Sequence, residues 1–492
     1  MERPVDMFDR EEEWAALAGF CEDPTPGATL GVVTGRRRQG KSFLLDAACE
    51  QTGGLYHQAL EGTAVDSLRL FGARFAEHVG AAAPLAFDSW AEAIDAVLGL
   101  GRQAPTTVVI DEFPYLVKAA PELPSVVQAA FGPRRPERTG SRTRLILCGS
   151  ALTVMGRLLA GSAPLRGRAA LELVVPSLDF RLAREFWGID DHRLAAQMHA
   201  VVGGTPAYRD FAHGDGPRGI DDFDAWVVRT VLNRNSPLFR EARYLLAEEP
   251  DLREPGLYSS VLAAVATGAV TRGAIANAVG RPTGDLAHPL TVLADAGFLA
   301  KADDLLRDRR PVWRIAEPLI AFYHAVMRPV FGRLETRGQA ARTWPGRRAT
   351  FASQVLGPNF EEICRAWVAL YADPATLGTD DLGDIGHGTI HDHEQRAAME
   401  LDVLALGPAD GERRRLVAIG EAKWGVEMGL EHLNRLRRAR ALIERTNNLD
   451  VTDTRLLLFS ATGFTDDLRA AAAAGSGPDI VLGDLHRLYE GG

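Results

Sequence analysis

Gly35-Arg36-Arg37-Arg38-Gln39-Gly40-Lys41-Ser42 spells G-x-x-x-x-G-K-[ST], a loop whose backbone N–H groups can turn together toward phosphate oxygens. Upstream, Thr29-Leu30-Gly31-Val32-Val33-Thr34 is a short apolar run with the β-branched content of a buried strand. Downstream, Phe43-Leu44-Leu45-Asp46-Ala47-Ala48 reads as the start of a helix. Strand, glycine loop and helix N-terminus together make an anion site, because the helix dipole adds its positive end to the N–H groups. The pattern points to a nucleoside triphosphate. Gly35, Arg38, Gln39, Gly40, Lys41, Ser42 and Phe43 are the binding candidates, with Lys41 reaching the terminal phosphates and Ser42 helping to hold Mg²⁺.

A second half of that site follows in Pro105-Thr106-Thr107-Val108-Val109-Ile110-Asp111-Glu112-Phe113. An apolar strand ending in two acids would place Asp111 by the Mg²⁺ and Glu112 where it activates water. Spacing through two βα units from Lys41 suits an α/β, doubly wound sheet. Arg144-Leu145-Ile146-Leu147-Cys148-Gly149-Ser150 reads as a further buried strand. It delivers Ser150 either to the phosphate or to the cap of the next helix. Pro164-Leu165-Arg166-Gly167-Arg168 is expected to bring arginines to the same edge, where Arg168 would stabilise transition-state charge in its own site or a neighbour's, or the stretch is equally a solvated loop. The second alternative leaves an oligomer open.

Composition sets the outer limits. The 492 residues are 46% hydrophobic with a net charge of −10, which fits a multi-domain globular chain and gives no global attraction to nucleic acid. No apolar run approaches membrane-spanning length, Met1 to Asp6 lacks a basic-then-apolar leader, and Cys21, Cys49, Cys148 and Cys364 are scattered. A cytoplasmic protein with reduced thiols and no membrane contact is therefore expected. Among the basic residues only Lys41, Lys118, Lys301 and Lys423 are lysines. A lysine kept in so arginine-rich a chain draws attention to sites that need a compact ammonium.

These residues together resemble the prokaryotic and archaeal ATPase family, AAA-related P-loop proteins often grouped with the STAND signalling NTPases. The likeness rests on Phe8-Asp9-Arg10-Glu11-x-Glu13, Gly35 to Ser42, Ile110-Asp111-Glu112-Phe113-Pro114-Tyr115-Leu116, Gly149-Ser150, Pro164-Leu165-x-Gly167-Arg168 and Gly203-Gly204-Thr205-Pro206-Ala207-Tyr208. The resemblance implies ATP rather than GTP, with Phe8 and Arg10 near the adenine and Pro206 in a helical lid facing the nucleotide. The triple arginine Arg36 to Arg38 departs from the family pattern without breaking it.

The expected order is an ATPase core over 1–178, a helical lid over 179–250, a winged helix over 251–330, a basic linker over 331–355 and a C-terminal domain over 356–492. Three short helical patterns from Leu257 to Ala296 precede two strands, Phe298 to Ala300 and Val312 to Ile315. The helix expected to read DNA carries Asp285, His288 and Asp295 without a basic residue, so Arg307, Arg309 and Arg310 of the wing are better placed for phosphate. The same module could equally pack on the ATPase and report its state. Arg333, Arg337, Arg342, Arg347 and Arg348 read as a solvated hinge or a nucleic-acid-facing strap.

Farther on, Met399 to Leu406 alternates like a strand, and Leu416 to Trp424 includes Glu421-Ala422-Lys423. Period-two alternation puts Glu421 and Lys423 on one face, and a hairpin would bring Asp402 beside them. Two carboxylates can hold Mg²⁺ while the ammonium orients water, and Glu361 on the preceding helix could add an oxygen. The bland alternative is a cross-strand charge pair. The constellation resembles the PD-(D/E)xK nuclease superfamily and the restriction-endonuclease-like domain attached to this ATPase family. By that resemblance Asp402, Glu421 and Lys423 are catalytic, Asp402, Glu421 and Glu361 hold metal, and the partner is nucleic acid, DNA rather than RNA. Such domains also persist as silent interaction modules. His387, His391 and His393 are read as a polar loop rather than a metal site.

Overall fold

The computed structural model describes residues 1–492 apart from 162, 250–253, 308–310, 393, 395, 410–412 and 475–478. Among the described residues the chain forms two compact units, one built on Met1–Ser177 together with Glu248 and Glu249, the other on Leu178–Ala247 and the residues from 254 to 492.

The first unit is organised by β1 (Thr29–Thr34), β2 (Leu55–Gln58), β3 (Thr106–Asp111), β4 (Thr143–Gly149) and β5 (Ala169–Val174), in the order β2-β3-β4-β1-β5. All pairings are parallel. Parallel strands need crossovers, and helices covering both faces explain why β4 is buried along its whole length. At the edge, β5 alternates half-buried and exposed positions. Thr34 leads directly into the glycine loop, and the helix Lys41–Thr52 starts from Gly40.

Two loop glycines are obligatory for different reasons. Gly35 has φ of 146°, and a Cβ there would lie 2.4 Å from the carbonyl oxygen of Val175. Gly40, at φ 88°, is left-handed with open space beside it, so the backbone conformation alone selects glycine.

The second unit begins with five short helices between Phe180 and Ala247. Asp179 starts the first by accepting from the backbone N–H groups of Arg181 and Leu182. Helices Pro255–Ala266, Arg272–Val279 and Ala287–Asp295 then lead into the antiparallel pair β6 (Leu299–Ala302) and β7 (Val312–Ile315). The loop after β6 is not a free wing over its described part. Leu305 donates its N–H to the carbonyl of His387 (3.0 Å), and Asp304 accepts from the N–H of Thr389 (3.2 Å). Arg309 and Arg310 lie outside the described residues.

The segment expected as a basic linker is folded. Short helical turns at Phe331–Leu334, Gln339–Thr343, Trp344–Arg347, Arg348–Phe351 and Ala352–Leu356 follow one another, and Leu334, Trp344, Phe351 and Val355 are buried in the core of the unit. The count of arginines hid four well-spaced apolar anchors. Arg347 is itself turned inward, donating to the carbonyls of Ala325 (2.6 Å) and Val326 (3.2 Å).

Helix Gly357–Leu370 leads to a mixed sheet of β8 (Ile385–Asp392), β9 (Ala397–Leu406), β10 (Arg414–Lys423), β11 (Leu449–Asp450), β12 (Arg455–Ser460) and β13 (Ile480–Gly483). The order is β13-β12-β10-β9-β8, with β11 beside β10. The strands β8, β9 and β10 form an antiparallel meander, whereas β12 and β13 continue it in parallel. Helix Leu430–Thr446 makes the crossover from β10, burying Leu433, Leu436, Ala439, Leu442 and Ile443. His387 and His391 sit on β8, not in a loop, and His393 lies outside the described residues. The glycines around His387 mask its strand pattern.

Candidate functional site

Asp111 closes β3 and is almost fully buried. One of its oxygens, Oδ2, accepts from the Ser42 hydroxyl and from the Tyr56 hydroxyl, each at 2.6 Å. Its other oxygen accepts the N–H of Glu112 at 2.8 Å. Burial works to protonate this carboxyl, but hydrogen bonds from Ser42, Tyr56, Cys148 and the Glu112 backbone outweigh it and hold the pKa below the ordinary carboxylate value. An ionised carboxylate beside a hydroxyl is the hard-oxygen pair that Mg²⁺ accepts. Asp111 and Ser42 therefore fit the metal read from the sequence.

Lys41 is buried, and its ammonium donates to the Arg36 carbonyl across 2.7 Å, curling the loop around itself. Burial draws its pKa down, opposed by the nearby acids Glu112 and Asp111. Glu112 takes a left-handed backbone (φ 51°) at the start of helix Phe113–Ala119. A β-carbon disfavours that conformation, so the turn after β3 is strained where the acid is presented. Both of its carboxylate oxygens accept from the Ser150 hydroxyl at 3.1 Å. Ser150, carried past the end of β4, thus faces Glu112.

Other expected positions are sorted by the fold. Arg38 and Gln39 complete the loop, with Arg38 left-handed (φ 73°) and Gln39 buried. Phe43, half exposed, follows Ser42 on the helix. Phe8 is half-buried, and Arg10 is buried and ties the N-terminal segment to the loop. Its guanidinium donates to Pro176 O (2.8 Å) and Gln39 O (3.4 Å) and pairs with Glu13 (3.1 Å). Arg10 acts there as a strut.

Arg168 is the clear misplacement. It immediately precedes β5, whose first residue Ala169 pairs with Leu30 while Val174 pairs with Thr34. In a parallel pair that register leaves Arg168 at the amino edge, roughly 17 Å of strand from the loop. It is exposed and does not join the site in its own unit. The own-site alternative fails because direction along β5 is set by parallel pairing, not by nearness in sequence, whereas an exposed Arg168 suits a solvated loop or a neighbour's site. Pro206 belongs to the second unit, at the start of helix Ala207–Phe211.

Sequence reading missed Tyr56 and Arg37. Tyr56 is brought in by the pairing of β2 with β3, and alternation on a short strand could have flagged its inward face. Arg37 donates to the Tyr115 hydroxyl at 3.0 Å and pairs with Glu248 at 3.3 Å. Only the surplus of arginine inside the loop hinted at it.

The second cluster lies on β9 and β10. Val403 pairs with Gly420, which brings Asp402 alongside Glu421. Lys423 Nζ is 3.1 Å from Glu421 Oε1 and 3.5 Å from Asp402 Oδ2. Asp402 Oδ2 also accepts the N–H of Ala422 at 2.9 Å. Burial would lower the Lys423 pKa, but the two carboxylates raise it above the ordinary lysine value. Glu421 is 3% exposed, and its Oε2 lacks a hydrogen-bond partner. A buried carboxylate oxygen without a donor is costly and suits a cation. Glu361 faces the same region: burial, then the charge of Asp402, pushes its pKa up to about 7.

Two arginines went unread. Arg435, on helix Leu430–Thr446, pairs with Glu421 Oε1 at 2.7 Å. Arg365 donates to the backbone carbonyl of Asp402 and pairs with Glu362 at 2.8 Å. Among the described residues no three His, Cys, Asp or Glu side chains gather in metal-ligand geometry. Asp402 and Glu421 fit a hard cation as a pair, with Glu361 set back. His387 is buried with both ring nitrogens unpartnered, and burial, then Arg314, drives its pKa down to about 4.

Residues 7–197 match the family described as an ATPase domain predominantly from Archaea. An uncharacterised protein of Methanocaldococcus jannaschii is 27% identical over 367 residues, covering 74% of this chain and 77% of its own length. That match is longer than the ATPase domain, so the likeness continues into the second unit. A solved Walker-type ATPase of Pyrococcus abyssi superposes at TM-score 0.50 with 22% identity, covering 66% of this chain and 97% of its own. The ORC2 protein of Aeropyrum pernix, solved with ADPNP and ADP, gives TM-score 0.42 and 14% identity over 71% of this chain and 97% of its own. The matched stretch lies almost wholly in the first unit and contains the glycine loop Gly35 to Ser42. Among the described residues, no helix is long and apolar enough to cross a membrane.

Proposed function

We propose that this chain is an ATP-hydrolysing switch governing a nucleic-acid-cleaving site on β9 and β10, with DNA rather than RNA as substrate. The observation that carries the proposal is the approach of Lys423 to both Glu421 and Asp402, at 3.1 and 3.5 Å. On a solvated hairpin a charge pair would be exposed; here Glu421 is buried.

In the ATPase half, Lys41 exchanges the Arg36 carbonyl for the terminal phosphates. Glu112 orients water against the γ-phosphorus and takes its proton as the bond to the ADP oxygen breaks. Phe8 bounds the nucleotide on the side of the N-terminal segment. In the C-terminal half, Lys423 orients the water that attacks the phosphodiester phosphorus, and the proton of that water passes to solvent as the bond to the leaving sugar oxygen breaks. Ser42 and Asp111 in one site, and Asp402, Glu421 and Glu361 in the other, would hold Mg²⁺, which would supply positive charge to phosphate oxygens. Arg168 enters only through a second copy, whose nucleotide it would face.

The test is plasmid cleavage by the purified chain with Mg²⁺ or Mn²⁺, with and without ATP. Lys423→Ala and Asp402→Ala are expected to lower the rate at least about a hundredfold. Intact DNA and RNA under every condition would remove the nuclease.

Arg435 favours a second reading. Its 2.7 Å pair with Glu421, added to Lys423, balances the carboxylates without a metal. A regulatory ATPase with a silent C-terminal interaction module would then keep its function in Lys423→Ala and lose partner binding in Lys41→Ala.

A further inference from the structure

Residues 331–348 carry Arg333, Arg337, Arg342, Arg347 and Arg348 against a single acid, Glu335. In a chain of net charge −10 this is a local reversal of sign. Two of these arginines are engaged: Arg347 with backbone carbonyls, and Arg348 with Asp224 at 3.2 Å. Arg333, Arg337 and Arg342 are exposed, and none has a carboxylate partner among the described residues.

Beside them opens a cleft of about 440 Å³ within the second unit. Asn233, Arg234 and Asn235 line it from one segment, Thr336 and Arg337 from the other, and neither Asp nor Glu is among the lining residues. Arg229 also lines it, but Asp215 (2.7 Å) and Asp222 (2.8 Å) bind its guanidinium, so its charge is compensated. Arg234 differs. Its Nη1 donates to the Glu335 carbonyl at 3.0 Å, which holds the side chain toward the opposite segment while leaving its charge uncompensated by an acid.

We propose that this cleft and the arginines along its rim are a docking track for the sugar-phosphate backbone of a nucleic-acid strand. The inference rests on the nucleic-acid reading above and adds where the strand is held. A strand fits better than a free nucleotide on two grounds. No aromatic side chain lines the cleft to stack a lone base. Exposed arginines also continue beyond the cleft at Arg333 and Arg342, which adjoin the lining residues Leu334 and Ala341 in sequence.

The experiment measures binding of the full chain to a fluorescein-labelled DNA oligonucleotide by anisotropy, without divalent metal, over a series of salt concentrations. Removing a phosphate contact lowers the slope of log affinity against log salt by about one. Arg234→Ala with Arg337→Ala is thus expected to lower the slope by about two, weakening binding roughly eightfold per arginine at 0.1 M salt. Lysine at both positions is expected to keep the slope. Because both arginines are exposed, the variant should retain ATP hydrolysis, which checks its fold. Unchanged affinity and slope would overturn the track while leaving the nuclease reading standing. Displacement of DNA by inorganic phosphate at constant ionic strength would also overturn it, in favour of a small-anion site. DNA unbound by the unaltered chain would defeat both readings.

Discussion

Asp111 joins groups from three parts of the sequence, Ser42 from the loop helix, Tyr56 from β2 and its own neighbour Glu112. Each donor favours the ionised form, so the carboxylate is ready for a cation at neutral pH. Glu112 has a different task, since Ser150 binds both its oxygens while its strained backbone aims it away from β3. Glu112→Gln keeps shape and hydrogen bonding but cannot take a proton. We expect it to bind ATP with nearly unchanged affinity and to hydrolyse it about 10²–10⁴ times more slowly, as read by phosphate release beside equilibrium nucleotide binding. Loss of binding together with turnover would instead make Glu112 a structural cap. The loop itself was legible because G-x-x-x-x-G-K-[ST] is contiguous. Tyr56 and Arg37 were not, because their partners lie far away in sequence and only strand pairing and folding bring them near.

At the scale of elements, the segment 331–355 tests what folding adds to a pattern. Its arginines suggest solvent, whereas Trp344 is 2% exposed and donates its indole N–H to Asp224 at 2.9 Å. Trp344→Ala should cost about 3–5 kcal/mol in urea unfolding of the second unit; a true linker residue would stay within about 0.5 kcal/mol. The pair β9 and β10 was legible for the opposite reason: alternation places Glu421 and Lys423 on one face, and a hairpin turn brings Asp402 beside them. Arg435 and Arg365 escaped because helices supply them from outside the hairpin. Arg168 was named but misplaced, because β5 runs parallel to β1 and the loop preceding it therefore emerges at the edge of the sheet away from the phosphate loop.

For the whole molecule, the two units predict two unfolding transitions. A ligand that binds only the native first unit stabilises it by RT ln(1 + [L]/Kd), about 2.7 kcal/mol at a hundred times Kd. Mg²⁺-ATP should therefore raise the midpoint of one calorimetric transition, and Lys41→Ala should abolish the rise. Two transitions moved equally by nucleotide would mean that the units unfold as one. The parallel sheet has a further consequence, which concerns synthesis. Thr34, from which the phosphate loop springs, is paired with Gly149 on one side and Val174 on the other. At ordinary elongation of roughly 5–20 residues per second, the 140 residues separating Thr34 from Val174 take roughly 7–30 seconds to appear. During that interval β1 lacks its edge partner and leaves an apolar edge open on the ribosome, so completing the sheet, and with it the base of the loop, waits for the last strand to emerge.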